Sequence, residues 1–219
     1  MNRHSYRGAQ RLRSDRDCLD DRSMRRRAFL VGLAALPALA GCGINAESIW
    51  SSDEAVAAVR YRDAGTPMLA LITVRNEATG SGAHTALLIN ASERVLFDPF
   101  GGWTDPRVAE RNDVLHGFSP AVEERYLDYQ AADGYYYIRQ EIAVSAEVAE
   151  QALALAKARG PVGMAMCTRA TSDILRQLPG FGALGLAWFP EQLSSRFGRL
   201  PGVVTVERRG PPPVEGRAS

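Results

Sequence analysis

Unbroken apolar runs and helical-period stretches share the chain beyond residue 60. Met68 to Arg75 is a β-rich apolar run set off by Pro67. His84 to Asn90 and Glu93 to Asp98 are two more, and the short interval between them predicts a hairpin. Asn76 to Ala83, with Thr79-Gly80-Ser81-Gly82, is predicted as a loop, as is Pro99 to Pro106. Ser119-Pro120 opens a helical segment to about Ala132, with proline placed in its first turn. Asp133-Gly134 turns into a strand over Tyr135–Val144. Ser145 to Arg159 is the clearest helix: Val148, Ala149, Ala152, Leu153 and Leu155 are apolar, and Gly160-Pro161 stops it. Cys167 to Leu178 is the next, ended by Pro179-Gly180. A short helix over Glu191–Phe197 and a last strand over Val203–Val206 follow. Ser52 to Val59 is a shorter helical segment capped by Ser52. No internal repeat is visible. Strands and helices in this order imply an α+β domain with an antiparallel sheet.

The first 41 residues follow a different pattern. Arg25-Arg26-Arg27 precedes Ala28 to Ala40, 13 uncharged and mostly apolar residues, then Gly41-Cys42. That run is shorter than the roughly 20 residues a bilayer span needs. A charged start, an apolar centre and small residues before a cut are the three parts of a secretory signal. Leu39-Ala40-Gly41-Cys42 has the form of a lipoprotein processing box, with Cys42 as the acylated first mature residue. Arg26-Arg27-Ala28-Phe29-Leu30 looks like a twin-arginine signal; the ordinary secretory route stays open, as does a true start at Met1 or Met24. The expected organisation is 1–41 signal segment, 42–60 lipid anchor and tether, 61–208 folded domain and 209–219 disordered tail. The expected location is the bacterial cell envelope, lipid-anchored, on the periplasmic face of the outer or inner membrane.

Removing the leader changes the charge. The chain has 26 basic and 25 acidic residues; without the nine arginines and four aspartates of residues 1–41 its net charge is −4. No basic stripe remains, which excludes a nucleic-acid partner. The partner implied is the membrane, through lipid on Cys42.

Of the three cysteines, Cys18 lies in the leader and Cys42 is the expected lipid site, so Cys167 is left as a single thiol in an oxidising compartment. It stands at a predicted helix start, where thiolate is stabilised. A small buried cysteine acting as a hydrophobe is the alternative. His84 opens an otherwise apolar strand, so it faces core or cleft, unless it is a strand-end residue on a polar face. If Asn90-Ala91-Ser92 is a three-residue hairpin loop, positions summing to 182 pair, and His84 lies opposite Asp98 with Cβ atoms about 5 Å apart. A four-residue loop would separate them, and Asp98 before Pro99 also suits a plain turn. Together Cys167, His84 and Asp98 supply what thiol acyl transfer needs: nucleophile, base and orienter. His116, the other histidine beyond the leader, is the rival orienter or a surface residue. Trp103, in Gly101-Gly102-Trp103, lines the cleft or sits on a surface turn. No zinc pattern and no phosphate loop is visible, so no metal and no cofactor is expected.

The order His84-Thr-Ala-Leu-Leu-Ile, then Val95-Leu-Phe-Asp98-Pro, then Met166-Cys167-Thr-Arg-Ala-Thr-Ser-Asp-Ile-Leu175 resembles the circularly permuted branch of the NlpC/P60 papain-like superfamily. The resemblance covers about residues 67–178. It implies a papain-like sheet packed on helices, with Cys167 as nucleophile, His84 as base and Asp98 as orienter. It also implies amide hydrolysis, with peptidoglycan stem peptides as the envelope substrate. Met166 stands where the permuted members often have Asn, and Asp98 where the family has His, Asn or Gln. A thioesterase or acyltransferase on lipids is the alternative chemistry. A non-catalytic envelope lipoprotein keeping the fold for binding is the alternative from another class.

Overall fold

The computed structural model describes residues 49–210. The signal segment, Cys18, Cys42 and the 211–219 part of the expected tail lie outside the described residues. In chain order the elements are α1 (Asp53–Val59), β1 (Met68–Asn76), β2 (Gly82–Asn90), β3 (Arg94–Phe97), β4 (Ala109–Arg111), β5 (Val114–His116), α2 (Pro120–Gln130), β6 (Tyr135–Ala143), α3 (Ala146–Ala158), α4 (Cys167–Leu175), a 3-10 turn (Gly182–Leu184), α5 (Pro190–Phe197) and β7 (Val204–Arg209). The seven strands form one sheet in the order β4-β5-β3-β2-β1-β6-β7, antiparallel at every pairing. The fold is α+β.

Both faces of the sheet are covered, which explains why β1 and β2 are apolar without alternation. Leu69, Leu71, Leu87, Ile89 and Phe97 pack with Leu153 of α3, Ile174 of α4 and Leu193 of α5. Ala70, Ile72, Ala86, Leu88 and Leu96 pack on the other side with Val122, Tyr126 and Leu127 of α2, and with Trp103 and Phe118. Burying a side chain such as Leu87 fully contributes about 1.5–3 kcal/mol.

The β2–β3 hairpin departs from the predicted register. Leu87 pairs with Phe97 and Asn90 with Arg94, so paired positions sum to 184 and the turn centres on Ser92. Glu93 leaves the strand to point inward, and Glu150 of α3 takes the Ser92 backbone N–H and hydroxyl. The offset from the expected register is two residues, an even number, so every side chain keeps its expected face. Extending the pairing sets Asp98 beside Ala86, diagonal to His84 rather than opposite it, still within reach of a long side chain.

Strands β4 and β5 were not expected. Their connection is Asn112-Asp113, with φ of 46° and 66°, the left-handed pair that a two-residue hairpin demands and that Asn and Asp tolerate. The segment expected as the end of a tether also belongs to the packed unit from residue 49 on. Asn112 donates to the Ile49 carbonyl at 2.9 Å, Ser51 to Glu110 at 3.0 Å, and Val56 is buried.

Glu93 has a structural role. Its carboxylate accepts from His116 Nδ1 at 2.7 Å and from Lys157 Nζ at 2.7 Å, with Arg60 at 3.8 Å. Burial pushes this acid up, but hydrogen bonds and charge from His116 and Lys157 prevail and hold it near 2. A depressed folded pKa adds stability above the unfolded value of about 4.5 that is lost as pH falls toward 2. Glu93→Gln is expected to cost about 1–3 kcal/mol at neutral pH, because it takes the charged acceptor from buried His116 while Lys157 and Arg60 can turn to solvent. Its urea midpoint should fall less than that of the wild type between pH 5 and 2. Equal acid slopes for the two proteins would remove Glu93 from this role.

Candidate active site

Helix α4 is pinned to β2 by a hydroxyl pair. Thr168 and Thr85, both buried, lie 2.9 Å apart at their Oγ1 atoms. Their chain neighbours are Cys167 and His84, so the bond that fixes the helix start also brings thiol and imidazole together at the end of the sheet. A bulge helps. His84 pairs with Val74 and Gly82 with Arg75, leaving Ala83 as an extra residue on β2. Such a bulge bends a strand end and re-aims its side chains.

His84 Nε2 meets Asp98 Oδ1 at 2.6 Å. Nδ1 is thereby left as the nitrogen to face sulfur. Burial favours the neutral imidazole. The charge and hydrogen bond of Asp98, with Cys167 behind them, override this and raise the His84 pKa to about 10. Burial likewise pushes the Cys167 thiol up, yet its pKa is lowered overall. The opposing causes are the hydrogen bond and charge of His84, the Thr168 hydroxyl, whose Oγ1 lies 3.9 Å from Sγ, and the backbone of Thr85. Opposite shifts in adjacent groups favour the thiolate–imidazolium pair over the neutral thiol and imidazole. The thiol is half-buried rather than sealed in the core.

Asp98 is 3 % exposed. The same Oδ1 that meets His84 accepts from the Tyr126 hydroxyl at 2.8 Å. Tyr126 is raised well above its ordinary value, by burial first and then by the Asp98 charge, so it stays a donor. Trp103 and Phe118 hold its ring edge-to-face, with centroids at 5.4 and 5.7 Å. Trp103 is therefore a buried support behind Asp98, neither a cleft wall nor a surface residue.

No family model matches the chain, and no curated protein or solved structure matches it.

The geometry must then carry the chemistry alone. The three expected residues converge, and His116 does not join them: it is buried against Glu93. Tyr126 was missed, because its spacing from Val122 marks only an apolar helix face. Gly101 was missed as well. Its N–H donates to the Asp98 carbonyl at 2.9 Å, and a Cβ there would overlap the Asp98 carboxylate. Three non-glycine residues near the site, Phe100, Asp133 and Ala165, have φ of 58°, 54° and 60°, a conformation costing L-residues about 1–2 kcal/mol and eased for Asp.

Helix α4 begins on Met166 with no side-chain cap. Its first-turn N–H groups have no intrahelical acceptors and stand beside the thiol, where an oxyanion would form. A cleft of about 260 Å³ opens at His84 between Val74, Ala83, Tyr129, Gln130 and Tyr135. Among the described residues, no group of three or more His, Cys, Asp or Glu side chains is placed to hold a metal ion.

Tyr126→Phe tests the support. It removes one of two donors to a buried carboxylate without changing ring packing, and is expected to lower stability by about 1–3 kcal/mol. An unchanged urea midpoint would mean that the hydroxyl is not engaged.

Proposed function

We propose that the protein is a thiol hydrolase of amide bonds that uses Cys167, His84 and Asp98 as nucleophile, base and orienter. The observation that carries this is the chain of contacts from Tyr126 through Asp98 and His84 to a thiol of lowered pKa at a helix start. The Cys167 thiolate attacks the carbonyl carbon, and the first-turn N–H groups of α4 stabilise the oxyanion. The His84 imidazolium gives its proton to the leaving amine. A thioester to Cys167 remains. Neutral His84 then takes a proton from water, hydroxide attacks the thioester, and acid and thiolate are restored. Asp98 keeps the imidazole ring oriented and stabilises its charged form.

The same proposal places the domain in the circularly permuted NlpC/P60 papain-like superfamily, as an envelope lipoprotein acylated on Cys42 with peptidoglycan stem peptides as substrate. In its support are the chain order of His strand, Asp strand and Cys helix, and the antiparallel sheet covered by helices on both faces. The test is a digest of peptidoglycan by the mature protein beside Cys167→Ser, with products weighed by mass spectrometry and a lipid thioester run in parallel. New amine and carboxyl ends, made only by the native thiol, are expected. Cleavage of the thioester alone would move the reading to lipid acyl transfer. If neither substrate is cut, the non-catalytic lipoprotein stands.

A further inference from the structure

Eleven large hydrophobic side chains are exposed among the described residues. Apart from Leu186, and from Val204 and Val206 on edge strand β7, they lie toward one end of the sheet, where β2 begins and β1, β3 and β4 end. Trp50, 65 % exposed, bridges Arg111, the last residue of β4. Phe100 lies in the turn after β3. Tyr135 opens β6 opposite Asn76, the last residue of β1. Met164 precedes the start of α4. Trp188, 57 % exposed, packs under Arg169 of the first turn of α4. Phe189, 64 % exposed, precedes Pro190, which lies against Gly82 at the start of β2. Cys167, His84 and Asp98 occupy the middle of that same end.

This distribution is unlike a core that has spilled outward. The residues stand on several loops and element ends around a polar centre, and they are rich in Trp, Tyr and Phe, the side chains with an apolar body suited to a membrane–water boundary. Both exposed indoles carry a guanidinium over the ring: Arg111 at 4.8 Å from the Trp50 centroid and Arg169 at 5.0 Å from that of Trp188. An indole with an arginine beside it matches the boundary between acyl chains and phosphate headgroups. The chain outside the structure adds a direction. Ile49, where the described residues begin, is at this end, hydrogen-bonded to Asn112 of the β4–β5 turn. Six residues separate it from Cys42, about 25 Å at full stretch.

We propose that this end of the domain seats on a lipid bilayer, with Trp50, Trp188 and Phe189 at the headgroup boundary and the thiol facing the membrane surface. The seating goes beyond the hydrolase reading and does not depend on it; only the tether direction rests on lipid at Cys42. Substrate reaching Cys167 in the seated domain would arrive from the membrane plane, as acyl groups or peptides carried on lipid; stem peptides of the cell wall would be reached only by the unseated domain.

The full chain, purified from membranes, is reconstituted with vesicles of phosphatidylcholine and phosphatidylglycerol carrying brominated acyl chains, and tryptophan emission is followed. Bromine quenches an indole only at short range, and Trp103, buried in the core, serves as the unquenched baseline. Expected is quenching in both the wild type and Cys167→Ser, part of it lost in Trp50→Phe and part in Trp188→Phe. Emission that brominated vesicles leave unchanged overturns the proposal. So does emission that shifts with protein concentration in the absence of vesicles, which would assign the surface to a second copy of the chain. Quenching without any peptidoglycan or thioester cleavage would leave the seating intact and remove only the hydrolase reading.

Discussion

Cys167→Ser is expected to lower turnover by about 10³–10⁴-fold or more while changing stability by no more than about 1 kcal/mol. A hydroxyl at this position is not ionised by an adjacent imidazolium, so the nucleophile is lost. The half-buried sulfur sits at a helix start rather than in the packed stripe of Ala170 and Ile174, so little packing goes with it. The pair also predicts a pH dependence. Labelling of Cys167 by iodoacetamide should stay fast below the ordinary thiol range near 8.5, because the thiol pKa is lowered. His84→Ala should move that limb upward, since it removes the largest cause of the lowering. The imidazolium persists up to about pH 10, so loss of proton donation to the leaving amine should appear only on the alkaline side. A raised folded pKa on His84 also means that its stability contribution is complete below about 6.5 and is lost as pH rises through about 10. Labelling that titrates as an ordinary thiol, unchanged in His84→Ala, would leave Cys167 with a structural role.

The second large effect is expected at a residue with no side chain. Gly101→Ala puts a methyl where the Asp98 carboxylate lies. The carboxylate must move, and with it the oxygen shared by His84 and Tyr126. Displacing a catalytic group by about an ångström can cost 10²-fold in rate, and loss of the orienting carboxylate more; turnover in Gly101→Ala should fall by about 10²-fold or more. Gly102→Ala is the control, because a Cβ at 102 meets nothing within 4 Å. Equal rates for the two variants would show that Asp98 tolerates displacement.

The strands, the main helices and the convergence of Cys167, His84 and Asp98 are legible in the sequence for a physical reason. Covered strands are continuous apolar runs, and a polar residue at the end of one has few places to go. The register of the hairpin is less legible. Its turn centre depends on Glu93 being drawn inward by His116 and Lys157, contacts 23 and 64 residues away in sequence. An even shift spared the site; an odd one would have put Asp98 on the opposite face from His84. The β4–β5 hairpin carried its own signal in Asn112-Asp113, but three-residue strands give no period to detect. Tyr126 and Gly101 were illegible because each acts through Asp98: one looks like any apolar helix position, the other like any turn glycine.

Three helices of this domain, α1, α2 and α3, begin on Ser52, Ser119 and Ser145, whose hydroxyls each take a first-turn N–H. Helix α4 begins without one, forgoing about 1 kcal/mol. The omission leaves the N–H groups of the thiol-bearing turn without a side-chain acceptor, although the Thr168–Thr85 hydroxyl pair holds that turn against the sheet. An acyl group attached to the sulfur would bring its own oxygen to those N–H groups and cap the turn. Substrate, in that sense, would complete the fold of the helix that attacks it.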